Sequence, residues 1–575
     1  MDKSITRLGI KAKKSVIAGA LAVSALSFAF SDDLFEVSKN LDIFASIYKE
    51  LNINYVDEVN SSHLIKTGID AMLEDLDPYT EYVQESDIED YKLKYVSTQY
   101  GGIGTTVINR DGKVLITDAF EGFPAQKAGV RAGDLITAIN GVSVGDKDND
   151  QVSQLLKGPK GSSVKLTLVR EGMQKPFEKT LIREEIRQPN VTYYGMLSGG
   201  VGYIKLDKFL ENSGQEVRDA LLELKKNQLN GLILDLRYNG GGILQEAVKI
   251  VNLFVQRDVL VVTQKGRNRE KTVSYRTQTA PVEPALPLIV LVNGRSASAS
   301  EIVAGSLQDL DRAVVVGQRS FGKGLVQQTF NLPYNSLVKV TVAKYYTPSG
   351  RCIQTLDYTH RNADGSVDKV ADSLISEFKT AGGRSVYNGS GVYPDVFVKP
   401  VRYNQITQTL ANKYLIFDYA TTYRSRKHTI PEPRNFRLTD AEYAEFMSFL
   451  SDKDYNYLTR TERILDDLRS EAEKENKLPE VKAEFEALRT KVSHSKKNDL
   501  TQFQAEIRQV LEGEIAGRYY FEKGRLEAGF KYDRDLEKAV SLISDKNTLA
   551  SILKGAGQYR VIGKPGSGYS ANAAK

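Results

Sequence analysis

The residues best suited to chemistry are three serines in Asn293-Gly294-Arg295-Ser296-Ala297-Ser298-Ala299-Ser300-Glu301. They follow an apolar run, Leu288-Ile289-Val290-Leu291-Val292, and precede a helix-like run from Ile302 to Leu310. A serine at the junction of a buried strand and a helix suits a nucleophile. The orphan N–H groups and partial positive charge of a helix start favour an alkoxide or oxyanion. Downstream lies Phe321-Gly322-Lys323-Gly324. A lysine between glycines allows close backbone approach and, once desolvated, serves as a general base. Residue types alone do not choose among Ser296, Ser298 and Ser300.

The elements around these residues read as an α/β unit. Gly202–Leu206 and Leu232–Leu236 are strand-like, and Val217–Leu224 and Ile243–Val255 are helix-like. Further apolar strands fall at 288–292 and 313–317. Strands alternating with helices argue for a largely parallel sheet. The second strand ends in Arg237-Tyr238-Asn239-Gly240-Gly241-Gly242, a tight turn rich in amides.

Upstream, Tyr100-Gly101-Gly102-Ile103-Gly104 precedes alternating apolar positions and the stretch Ala128 to Val142 (AGVRAGDLITAINGV), with an Asn140-Gly141 hairpin turn. Val152–Leu156 is a short amphipathic helix, and Val164, Leu166 and Leu168 alternate as a strand. Successive amides of a glycine-rich turn capture a carboxylate, while a sheet edge takes a peptide as an added strand.

At these positions the chain resembles the C-terminal processing peptidases, or tail-specific proteases. These are serine peptidases with a Ser–Lys dyad and a PDZ domain. The resemblance rests on Gly294–Asp309, the Phe321–Gly324 loop, Gln327 and the PDZ-like segment, and it covers about residues 34–400. It implies Ser298 as nucleophile, Lys323 as base and Gln327 as the group orienting the lysine. It also implies an oxyanion hole made by the Ala299 N–H and a glycine amide, Gly240 or Gly241. The PDZ peptide site falls on Tyr100, Gly101, Gly102, Ile103 and Gly104. The even spacing of Lys323 and Gln327 in an apparent strand, Leu325–Phe330, puts both on one face. Burial against neighbours such as Phe321 is expected to lower the lysine pKa. Arg351 and the Gly391–Asp395 turn also match the family and read as structural turns.

The expected fold class is multidomain α+β, with a crotonase-like α/β catalytic core, a PDZ domain upstream of it and helical terminal regions. The expected boundaries are a signal peptide at 1–31, an N-terminal helical region at 32–97, a PDZ domain at 98–186 and a peptidase domain at 187–405. A helical C-terminal region at 406–575 follows, with a disordered tail from Gly563. Asp77-Pro78-Tyr79-Thr80 marks a helix stop. The helical stripes through Val481, Phe485, Leu488 and Val492 and through Phe503, Ile507 and Val510 read as packing or oligomer surface.

The expected function is that of an exported serine endopeptidase that recognises substrate C-termini through its PDZ domain. Its partners are unfolded or C-terminally tagged proteins, with room for an adaptor and a homo-oligomer. The alternative is a PDZ peptide-binding scaffold whose protease site is unused; a coenzyme A enzyme on a crotonase-like fold has no supporting nucleotide motif. No cofactor and no metal are expected. The four histidines (His63, His360, His428, His494) show no ligand spacing, and Cys352 is the single cysteine. A net charge of +5 over 575 residues, with no basic run interleaved with aromatics, argues against nucleic acid.

Lys3, Arg7, Lys11, Lys13 and Lys14 precede the small and apolar stretch Ser15–Phe30, with small-x-small sites just before Asp32. This reads as a cleaved export signal and a periplasmic location; an uncleaved anchor would hold the protein at the inner membrane. The stretch is shorter than the roughly 20 residues that span a bilayer.

Overall fold

The computed structural model describes residues 35–96, 99–267, 272–362, 364–492, 496–556 and 561–565. The signal-like segment, His494 and most of the tail called disordered lie outside the described residues. The chain divides into two compact units, one formed by the residues up to 85 with 328–341 and the other by the remainder.

In the first unit a helix over 35–54 is followed by Ser61–Glu74, capped by the Asn60 side chain on the His63 N–H. The helix ends before the stop expected at Asp77-Pro78-Tyr79-Thr80, and the unexpected element is the strand that follows Asp77. The Asp77 carboxylate accepts from the N–H groups of Tyr79 and Thr80 at 2.8 Å each, which turns the chain into this strand, Glu81–Val83. That strand pairs antiparallel with Leu337–Lys339.

The centre of the second unit is a six-stranded sheet. Its order is Val191–Met196, Val201–Leu206, Gly231–Asp235, Leu288–Val292, Val314–Gly317 and Val396–Phe397. Only the first pair is antiparallel. The strands read as unbroken apolar runs because both faces are covered. Leu232, Leu234, Val290 and Val292 point to one face, against Val217, Leu221, Ile250, Val303 and Leu307 of three helices. Those helices are Ser213–Leu224, Leu244–Asn252 and Ala299–Asp309. The alternate residues Ile233, Ile289, Leu291, Val314 and Val316 point to the other face. They meet Leu536, Leu542, Ile543 and Leu549 of the helices Arg534–Ser544 and Lys546–Leu553. Each fully buried aliphatic side chain of this kind contributes about 1.5–3 kcal/mol. These last two helices complete the six-stranded sheet; of the C-terminal stripes, Ile507 is buried in a separate core with Phe503 and Val510 packed against it, and Phe485 is buried while Val481 and Leu488 are exposed.

A separate core forms around Ile116, Ile136, Ile139, Val152, Leu166 and Leu168. Its strands are Thr105–Arg110, Lys113–Ala119, Leu135–Ile139, Val142–Ser143, Ser163–Val169 and Phe177–Ile182. Asn140 and Gly141 form the two-residue hairpin turn with positive φ (51° and 82°), and Ile139 pairs with Val142. The helix Asn149–Leu156 closes this domain, its start fixed by a reciprocal cap between Asp148 and Gln151. A third core gathers Tyr419, Tyr423, Phe436, Tyr443, Phe446, Ile507 and Leu511 of the C-terminal helices. No helix among the described residues is long and apolar enough to cross a membrane.

Candidate active site

Three loops meet because three adjacent parallel strands end on the same edge of the sheet. Gly231–Asp235 leads into the glycine turn, Leu288–Val292 into the serine loop and Val314–Gly317 into the lysine loop. The crevice outside the carboxyl ends of such strands is where α/β sheets place ligands.

The structure separates the three serines. Ser296 and Ser300 are fully buried, and their hydroxyls donate to the carbonyls of Leu236 (2.8 Å) and Asn239 (2.9 Å). Ser298 is half-buried, sits at the start of the Ala299–Asp309 helix and has a positive φ of 57°. A non-glycine residue in this region costs about 1–3 kcal/mol and persists only where its surroundings over-determine it. Here the Ser298 N–H donates to the Glu301 carboxylate at 2.8 Å, and its carbonyl accepts from the N–H groups of Glu301 (2.8 Å) and Ile302 (3.0 Å).

Glu301 is fully buried and joins the two loops. One carboxylate oxygen accepts from the N–H groups of Ser298 (2.8 Å) and Lys323 (2.9 Å). The other accepts from the Gly322 N–H at 2.7 Å and from the Ser320 hydroxyl. Burial pushes this carboxyl above its ordinary range, against the lowering pull of those four donors. Tyr345, 1% exposed, makes a second bridge: its hydroxyl lies 2.5 Å from the Lys323 carbonyl and 3.1 Å from that of Ser298. The Phe321 N–H also donates to the Ser296 carbonyl at 3.0 Å. The sequence reading did not single out Glu301 or Tyr345. The spacing of Ser298 and Glu301 is that of a capping box, a local signal for Glu301. Tyr345 lies on a distant strand, and only the tertiary fold brings it here.

Lys323 is half-buried and lies in the loop before the strand Leu325–Asn331, while Gln327 lies inside that strand. Strand alternation therefore does not fix their common face. Phe321, expected to cover the lysine, is 46% exposed.

The glycine turn is held by Asn239, which is fully buried. Its side chain accepts from the Gly241 N–H (2.9 Å) and donates to the Leu206 carbonyl (2.8 Å). Its own carbonyl accepts from Ala297 N–H at 3.0 Å. Gly241 has φ 95°, and a Cβ there would lie 2.7 Å from the Ala297 carbonyl oxygen and from Ser298 Cβ. The turn thus approaches the serine as only glycine allows. The Gly241 amide is turned inward to Asn239, whereas the surroundings of Gly240 are open. Arg237, just before the turn, bonds Asp235 and reaches Asp533 (2.7 Å) and Asp535 (3.0 Å) at the start of a C-terminal helix. Burial opposes ionisation of Asp235, but Arg237, Lys205 and Tyr203 hold its pKa down at about 2. Arg351 is buried against Asp309 (2.8 Å), and Asp395 accepts from the Val315 N–H (2.8 Å), so both act as structural anchors.

The PDZ segment places Tyr100, Gly102, Ile103 and Gly104 along a groove of about 280 Å³ facing the Asn149–Leu156 helix. Gly101 does not line it; its carbonyl accepts from the Gly158 N–H at 3.0 Å.

Residues 200–360 match the family described as Peptidase family S41, residues 115–170 match a PDZ domain family, and residues 406–543 match "Probable PDZ-protease, C-terminal helical domain". A carboxy-terminal-processing protease of Bartonella bacilliformis is 33% identical over 347 residues, 60% of this chain and 79% of the relative. The chain belongs to the carboxy-terminal-processing proteases of family S41. It is a serine-type peptidase carrying a PDZ domain in a mixed helix-and-strand, multidomain chain. A "Probable CtpA-like serine protease" of Staphylococcus aureus is 36% identical over 318 residues, 55% of this chain and 62% of that protein. Among solved structures, the photosystem II D1 C-terminal processing protease shares 28% identity, covering 62% of this chain and 92% of its own (TM-score 0.32). The PDZ domain of a Vibrio cholerae carboxy-terminal protease in complex with peptide shares 35% identity over 16% of this chain and 99% of its own (TM-score 0.15). The match over 406–543 extends family likeness into the C-terminal helices, beyond the residues 34–400 that carry the sequence resemblance.

Proposed function

We propose that the chain cleaves peptide bonds with Ser298 as nucleophile and Lys323 as general base, on a crotonase-like core. The observation that carries this reading is the Glu301 carboxylate, one oxygen of which accepts from the backbones of both residues. Ser298 Oγ attacks the substrate carbonyl carbon and its proton passes to neutral Lys323 Nζ. The oxyanion is met by the N–H groups of Ala299 and Gly240, since that of Gly241 is engaged by Asn239. Lys323 then returns the proton to the leaving amine, and water hydrolyses the acyl-enzyme by the reverse use of the same base. Gln327 holds the lysine by hydrogen bonding. The PDZ groove takes the free C-terminus of an unfolded or tagged protein. Export through the basic and apolar N-terminal segment puts the enzyme in the periplasm, with delivery by an adaptor and a homo-oligomer both compatible with it.

The test uses unfolded polypeptides that differ only in their last three residues, incubated with the wild type and with Ser298→Ala. Cleavage by the wild type alone, at rates that follow the terminal residues, is expected. Equal cleavage by Ser298→Ala contradicts the nucleophile assignment. Binding without cleavage by the wild type would leave the scaffold reading.

A further inference from the structure

Two arginines at the active-site edge of the sheet carry charge that no carboxylate answers among the described residues. Arg295 lies three residues before Ser298 in the serine loop and is exposed. Its guanidinium lies 5.9 Å from the ring centre of Tyr238, the residue before Asn239 of the glycine turn. Arg319 repeats the arrangement over Tyr393, also at 5.9 Å, and its carbonyl passes beside Gly294 of the serine loop. One atom sets the first pair: the side-chain oxygen of buried Asn293 accepts from the N–H groups of both Tyr238 (3.1 Å) and Arg295 (3.0 Å). Tyr238 is 67% exposed and has a φ of 65°. An exposed tyrosine held in the left-handed region gains no core burial in return for its strain, and such positions cluster at functional sites.

The backbone ties this pair to the reacting groups. The Ala297 N–H donates to the Asn239 carbonyl at 3.0 Å, which clamps the serine loop to the glycine turn, and Gly240 follows Tyr238 by two residues. The Cα atoms of Arg295 and Ser298 are at most about 11 Å apart, three steps of 3.8 Å, and an extended substrate advances about 3.3 Å per residue. The guanidinium therefore reaches substrate side chains within about three residues of the bond cut. Tyr403 shares this corner: burial, then Glu506, Tyr238 and Asp533, raise its hydroxyl pKa. The carboxylates of the corner are engaged elsewhere. Asp533 bonds Arg237, and Glu506 accepts from the backbone N–H (2.7 Å) and side-chain amide (2.9 Å) of Asn404. Arginine meets a carboxylate through two parallel N–H bonds, and a neighbouring aromatic face steadies it without using those donors.

We propose that Arg295, positioned by Tyr238, determines specificity at the bond itself: it takes the side-chain carboxylate of an Asp or Glu within about three residues of the scissile bond, so that cleavage favours sites with an acidic residue there. Arg319 adds to the positive field on the same edge. The inference rests on the proposed Ser298 nucleophile and adds a charge preference that is separate from any reading of the C-terminus.

The test is kcat/KM of the full-length protein for internally quenched peptides that share one tail and one cleaved bond, located by mass spectrometry. They carry Asp, Asn or Lys at each of the three positions on either side of that bond, and the shared tail keeps the terminal carboxylate constant. At one position or more, Asp is expected to exceed Asn by at least about threefold, less in high salt, with Lys below Asn. An Asp preference below about threefold at every position overturns the proposal. Arg295→Gln should abolish the preference, and Arg295→Glu should turn it into a preference for Lys. An Asp preference that survives Arg295→Gln shows that another group reads the charge and overturns the assignment. Tyr238→Asn, which tolerates the left-handed backbone, should reduce the preference by about twofold, and Tyr238→Phe should keep it. An unchanged preference in Tyr238→Asn removes the positioning role. If instead Ser298→Ala cuts these peptides, the underlying nucleophile reading is the part that fails.

Discussion

Around Ser298 the loops are tied to one another, the N–H groups of Ser298, Gly322 and Lys323 by Glu301 and that of Gly241 by Asn239, whereas the groove beside Gly102–Gly104 holds a buried Thr105 hydroxyl with no hydrogen-bond partner among the described residues. The first region spends its hydrogen bonds on itself, through Glu301, Asn239 and Tyr345. That suits a site whose reacting atoms must be held in a strained geometry before substrate arrives. The second keeps bonds for an incoming chain, which suits recognition by strand addition. The two regions should therefore respond differently to substitution: loss of turnover at one, loss of discrimination at the other.

The largest effect is expected for Ser298→Ala and Lys323→Ala, each lowering kcat by at least about a thousandfold with peptide binding at the PDZ groove unchanged. Steady-state proteolysis alongside anisotropy checks this. If either variant weakens groove binding as much as turnover, the two regions are not separable. Activity should rise with pH, since a lysine must lose its proton to act as a base.

Gly241→Ala should come next. Its Cβ would press on the Ala297 carbonyl and Ser298 at a φ of 95°, so a loss of about a hundredfold in kcat is expected, with folding retained by circular dichroism. Gly104→Val tests the other side. Gly104 has φ 75°, and a Cβ would come within 2.5 Å of Phe123, so the carboxylate turn should deform. The expectation is loss of the preference between free and amidated C-termini, with cleavage of an unfolded substrate lacking a favoured tail reduced by less than about threefold.

A smaller effect concerns the support of the glycine turn. Asp235 has its pKa lowered to about 2, so its contribution is fully present above the unfolded value near 4 and is lost as pH falls through 2. The contribution is on the order of 2 kcal/mol. Asp235→Asn should flatten the loss of stability between about pH 4 and pH 2, as read by urea titration at each pH. Full retention of the wild-type slope would show that Arg237 and its neighbours do not hold that carboxylate.

Much of this was legible in the chain because it is local. The strand runs, the Asn140-Gly141 turn and the glycine-rich motifs carry their conformations in their own residue types. The choice of Ser298 over Ser296 and Ser300 was not legible without family likeness. It depends on hydroxyls reaching Leu236 and Asn239, some sixty residues earlier in the chain. Glu301 could have been suspected from its spacing, but Tyr345 and the Asp533–Arg237 bond depend on tertiary packing. The helical character of the C-terminus was legible, while its role as a cover for the peptidase sheet was not. An amphipathic stripe shows that a face is buried but does not say against what.

The most direct measurement of the central claim is mass spectrometry of the protein after reaction with a serine-directed fluorophosphonate. The account predicts a single adduct on Ser298, formed faster as pH rises, and slowed by at least about a hundredfold in Lys323→Ala. An adduct on Ser296 or Ser300, or labelling of Lys323→Ala at the wild-type rate, would contradict it.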